Sequence, residues 1–168
     1  MKLYKYVGDS DVLESTKNIP GGEPILSSAN VLSWLHNTNQ TQEVDGLFWA
    51  TYIVSKEETL YISDRRSEHV ACAKGEEVLA AGEIGFGIEK GKPEILEISN
   101  QSTGYCPEPE SWNTVEKVLR NTQIPFPTDF TFKVIFRLCE KCGARNIVRD
   151  SYYVCAICEN ELTKKWNF

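Results

Sequence analysis

Two C-x2-C pairs near the C-terminus, a close succession of β-prone runs across residues 47–99, and helical periodicity confined to two short stretches predict an α+β, strand-dominated fold. Its form is an antiparallel sheet body, residues 1–132 with one or two helices, that continues directly into a C-terminal zinc ribbon, residues 133–168. At 168 residues, 41% hydrophobic and with 4 Trp, 7 Tyr and 7 Phe, the chain can bury one ordinary core and still carry a small metal module.

Residues 2–7 have the composition of a short strand, and Gly8, Asp9 and Ser10 follow as turn residues. The stretch from Asn18 to Pro24, with two prolines and two glycines, is a break. Ser27 or Ser28 can cap a helix through Val31, Leu32, Trp34 and Leu35, whose apolar positions fit one face, with His36 at its end. Residues 47–54 and 59–63, rich in aromatic and β-branched residues and parted by Ser55-Lys56-Glu57-Glu58, predict a hairpin. Val70-Ala71-Cys72-Ala73 reads as a resumed strand, and residues 78–86 as a longer one that pairs with the alternating run 94–99. Glycines at 82, 85 and 87 inside that longer strand predict a bulge, or a surface that a backbone or ligand approaches closely. Residues 100–110 form a polar loop, Ser111 caps a helix over 112–120, and 130–138 is a strand that runs into Cys139. Trp166 and Phe168 are placed to anchor the C-terminus on the body.

The ribbon rests on Cys139, Cys142, Cys155 and Cys158, with twelve residues between the pairs. Structural zinc takes four thiolates in a tetrahedron, and each C-x2-C turn supplies two from one knuckle. The β-prone runs 144–149 and 151–154 lie on either side of Asp150, which predicts a hairpin between the knuckles. Gly143 follows the first knuckle, where the chain must turn, and Glu159-Asn160 stands at the matching place in the second. One structural zinc is therefore the expected cofactor. Four cysteines close its coordination shell, which argues against zinc catalysis.

No secretory signal or membrane-length apolar run is visible, and cysteines in metal spacing suit a reducing compartment, so a cytoplasmic location is expected. The net charge of −6 is unevenly placed. Residues 133–168 carry seven Lys and Arg against four Asp and Glu, a net +3, which leaves −9 on residues 1–132. An acidic body disfavours a broad nucleic-acid footprint, while the basic ribbon leaves room for a local one.

Between residues 69 and 107, Ala73-Lys74-Gly75 is followed by Val78 and Ala80-Ala81-Gly82, and then by Ser102-Thr103-Gly104-Tyr105-Cys106-Pro107. These resemble a module of plant IQ-motif calmodulin-associated proteins and microbial homologues, in which S-F-L-A-G-x4-A-A-G precedes a glycine turn and S-G-H-Y-x-P. The resemblance implies a shared β-rich module and no established activity. The family's Gly-His pair is Thr103-Gly104 here, so no role passes to a histidine, and the chain has no IQ motif and no implied calmodulin binding.

Read chemically, the same stretch supplies a candidate pocket. His69 beside the Cys106 thiol can generate a reactive thiolate, with Glu83 and Tyr105 completing a catalytic set and Glu68 close by. Arg65, Arg66, Asn100 and Ser102 are candidate ligand-binding residues, the arginines for a phosphate or carboxylate. The plainer alternatives are a buried, inert cysteine, ordinary turn chemistry at 100–104, and arginines paired with Asp64 and Glu68. Three functions compete. The first is a zinc-stabilised binding or adaptor protein that presents Arg145, Arg149, Tyr152 and Tyr153 to a protein partner. The second is a small hydrolase or transferase using His69, Glu83, Tyr105 and Cys106. The third is nucleic-acid binding by the ribbon.

Overall fold

The β-prone runs become one antiparallel sheet in the computed structural model, which describes residues 1–168. Strands β1 (Glu23–Ile25), β2 (Phe48–Ser55), β3 (Leu60–Asp64), β4 (Val78–Glu89) and β5 (Lys92–Ile98) lie in the order β1-β3-β2-β4-β5. The period of two sends Tyr52, Val54, Leu60, Ile62 and Ile84 to one face and Ile53, Tyr61 and Ala81 to the other. The helices are α1 (Ser10–Thr16), α2 (Ser28–Asn37), the single turn α3 (His69–Cys72) and α4 (Trp112–Thr122). α2 and α4 cover the first face with Val31, Trp34, Trp112, Val115 and Leu119. α1 and α3 cover the second, joined there by Tyr4, Tyr105 and Trp166. No helix is long and apolar enough to cross a membrane.

The strand-dominated α+β class holds, with local corrections. Residues 69–72 are helical where a strand was expected, because a run of four apolar residues carries too little periodicity to separate the two. The residues at 8–10 start α1 instead of making a turn: the Asp9 carboxylate accepts from the Asp11 N–H at 3.0 Å, and turn residues are also cap residues. The break at 18–24 ends in β1, an edge strand that tolerates Pro24. Within residues 2–7 only Tyr4 pairs, in a bridge to Val78. Ser111 precedes α4 but does not cap it, since its hydroxyl donates to Glu108 O at 2.7 Å.

The glycine run in β4 has a structural cause. A Cβ on Gly82 would lie 1.9 Å from the carbonyl oxygen of Ser99, so the backbones meet there without room for a side chain. At Gly85 the register with β5 shifts, the expected bulge. Beyond β5 the sheet edge leads into the ribbon. Thr131 N–H donates to Ile98 O at 2.9 Å, and the Asn100 side chain bonds both backbone groups of Val134, accepting at 2.8 Å and donating at 2.7 Å. The strand expected over 130–138 is regular only from Ile135, because residues 131–134 follow the end of β5 before leaving the sheet.

Candidate metal centre

Each half of the centre is a tight loop closed by backbone hydrogen bonds. In the first, Gly143 N–H donates to Cys139 O and Cys139 N–H to Ala144 O, both at 2.8 Å. In the second, Glu159 N–H donates to Cys155 O at 3.0 Å and Cys155 N–H to Asn160 O at 2.8 Å. Gly143 (φ 74°) takes the left-handed turn, and its counterpart is Glu159 (φ 60°), not Asn160. The first knuckle folds the chain straight back, so β7 (Arg145–Val148) pairs with β6 (Ile135–Leu138). This corrects the hairpin expected between the knuckles. Asp150 and Ser151 do turn, but residues 151–154 add only a bridge from Val154 to Glu161.

The four sulfurs of Cys139, Cys142, Cys155 and Cys158 lie within 4.8 Å of one another. Two of the separations, Cys139 to Cys158 and Cys142 to Cys155, are 3.6 Å. Tetrahedral bonds of about 2.3 Å to sulfur require edges of about 3.8 Å, so the cluster fits a four-coordinate soft cation. Backbone N–H groups of Cys158 and Ile157 pull the Cys155 thiol down to about 6, and those of Cys142 and Lys141 lower Cys139. The Ala144 N–H favours the Cys142 thiolate. Desolvation and the three neighbouring sulfurs outweigh it, and without a metal Cys142 is pushed up to about 12.

Asn146 ties the knuckles together. Its amide donates to Ala144 O at 3.0 Å and to Cys155 Sγ at 3.5 Å, and its carbonyl accepts from Ala156 N–H at 2.9 Å. It is buried, as Val148 is, while Arg145 and Ile147 alternate outward. That alternation in the Arg-Asn-Ile-Val run was the available indication of its role.

The residues of the candidate pocket have separate partners. His69 Nε2 carries its proton toward Gly82 O at 2.9 Å, and burial lowers its pKa. Glu83 accepts from Arg65 Nε at 3.2 Å. Tyr105 is buried and donates to Glu76 O at 2.7 Å. Cys106 is buried too, its sulfur 3.4 Å from Thr103 O, and burial pushes its thiol up to about 12. No hydrogen bond joins any of these four side chains to another. Arg65 also pairs with Glu43 and lies 4.6 Å above the Trp49 ring, while the Arg66 side chain is exposed. Asn100 is the buried bracket to Val134 and Pro107, and Ser102 is buried with a hydroxyl that lacks a partner.

Of the side chains expected to face a partner, Arg145 is exposed and donates to Thr103 O at 2.6 Å, and Tyr153 is half-buried with Arg137 6.0 Å from its ring. Arg149 and Tyr152 stay exposed. Comparison of the chain with protein-family models, curated proteins and solved structures returned no match, so the resemblance of residues 69–107 rests on those residues alone.

Proposed function

We propose that this is a zinc-stabilised binding protein whose ribbon and adjoining loops dock a protein partner. The observation that carries the reading is apolar surface left uncovered on and beside the metal module: Phe132, Ile147, Tyr152 and Ile157 are 56%, 42%, 69% and 75% exposed. Zinc suits four thiolates with no carboxylate or imidazole among them, and a shell closed by cysteines leaves no position for substrate. The hydrolase or transferase reading has no hydrogen-bonded nucleophile and base to start from, and its cysteine is held protonated.

The test is cross-linking of tagged, zinc-loaded protein in its native cell extract, compared with a Tyr152→Ser/Ile157→Ser protein and a Val44→Ser control altered on the body. A discrete cross-linked protein that persists with the control and disappears with the ribbon variant is the expected result. A partner retained by the ribbon variant, or lost only with the body variant, overturns the reading.

A further inference from the structure

We infer that the cleft between the ribbon and the loop at Gln101 and Pro109 receives a short partner segment in which a bulky apolar side chain stands next to a carboxylate. The inference rests on the docking function proposed above and gives it a site and a ligand chemistry. The cleft has a volume of about 570 Å³. Phe132, Pro109 and Ile147 supply apolar walls, and Lys133 and Arg149 supply cations, with Asp150 the one acid in the lining. Phe132 and Ile147 point there while remaining half open to solvent, so a side chain inserted between them removes apolar surface from both.

Charge selects the occupant. Lys133 is paired with Asp129, whereas Arg149 forms no ion pair, with neighbouring Asp150 or any other acid, and its guanidinium presents a fork suited to a carboxylate. The module carries +3 against −9 for residues 1–132, so an acidic segment is drawn to this end and repelled from the sheet. A polynucleotide has the right charge but needs a long basic track, which the neighbouring acidic body denies it. A peptide needs only the cleft and one or two carboxylate contacts.

The experiment pans a displayed library of random dodecapeptides against the zinc-loaded full chain. Enriched peptides are then titrated against wild type, Arg149→Glu and Phe132→Ser, with an oligothymidylate strand as the nucleic-acid probe. Both variants alter exposed side chains, and unchanged zinc content and melting temperature certify their fold. Enriched peptides should share an apolar residue beside Asp or Glu, and each variant should weaken binding by about tenfold or more. The inference fails if no peptide is enriched, if enriched peptides lack the acid, or if they bind both variants as tightly as wild type. It also fails if oligothymidylate binds and competes for the cleft. If a cross-linked partner still depends on the ribbon while the peptides fail, the partner docks through a folded surface, and the proposed function stands without this site.

Discussion

At the scale of single residues, burial decides what the titratable groups of this protein do. His69 carries a proton on Nε2 for Gly82 O and resists a second one because its ring is desolvated. In the unfolded chain it protonates near the ordinary value of about 6.5. Its contribution to stability is therefore complete above that pH and is lost as pH falls below it, with a slope of at most about 1.4 kcal/mol per pH unit. His69→Gln keeps a donor for Gly82 and removes the titration. Urea midpoints measured from pH 7 to pH 5 should fall less steeply for the variant, and equal slopes would refute this account. Cys106 should react with iodoacetamide far more slowly than a free thiol at neutral pH, since it is both buried and protonated. Rapid modification of the zinc-loaded protein at that residue would revive a nucleophilic role. Gly82→Ala should destabilise by about 3 kcal/mol, because its Cβ meets the Ser99 backbone, which cannot rotate away. Gly85→Ala, whose nearest contact is a movable Leu47 methyl at 3.1 Å, should lose less. Chemical denaturation of the pair decides it. The glycines were visible in the sequence as an anomaly, whereas the partners of His69 and Cys106 were not, since Gly82 O and Thr103 O are backbone atoms that any residue offers.

At the scale of elements, legibility followed the strength of the local pattern. The cysteine spacing picked out the four sulfurs that cluster, aromatic and β-branched enrichment identified β2 and β3, and alternation identified β5. The ribbon's pairing was misread because the knuckle itself reverses the chain: Cys139 N–H to Ala144 O fixes the register of β6 against β7 before Asp150 is reached. α1 and α3 escaped because each is too short for helical period to show. The holding role of Asn146 gives the element-scale prediction. Asn146→Ala leaves all four ligands in place but frees the second knuckle from β7 and removes an N–H donor to Cys155 Sγ. Zinc affinity measured by chelator competition should drop by about 10–100-fold, the usual effect of losing an outer partner of a metal ligand. Asn146→Asp, which keeps an acceptor for Ala156 N–H and adds charge beside the thiolates, should fare no better. Unchanged affinity in Asn146→Ala would mean that the knuckles are positioned by the metal alone.

At the scale of the whole molecule, the question is whether the ribbon is an appendage or part of one cooperative unit, and the contacts favour the second. Arg145 bonds Thr103 O, and Asn100 brackets Val134. After the second knuckle the chain returns to the body, where Trp166 Nε1–H donates to Cys106 O at 2.8 Å. The Trp166 ring meets Tyr4 edge-on at 5.7 Å and takes Lys2 on its face at 3.4 Å. Asn167 then closes the free edge of β6 with two bonds to Leu138, so both chain ends and the loop at 100–110 are locked by the ribbon's fold. None of this was readable locally, because the partners lie far apart in the chain and no periodicity links them; only the terminal aromatics hinted at an anchor. Metal binding contributes on the order of 10 kcal/mol to folding a small zinc module, and in an interlocked protein its loss is felt beyond that module. Trp34 and Trp112 sit in the sheet core and report on the body, not the ribbon. Chelation should therefore lower the thermal midpoint seen by tryptophan fluorescence, with one transition shared with circular dichroism. Trp166→Ala should uncouple the two parts, so that a chelator melts the ribbon while the core midpoint hardly moves. A wild-type core midpoint indifferent to the chelator would instead make the ribbon a separate domain, and its contacts with Thr103 and Cys106 a mere adjacency.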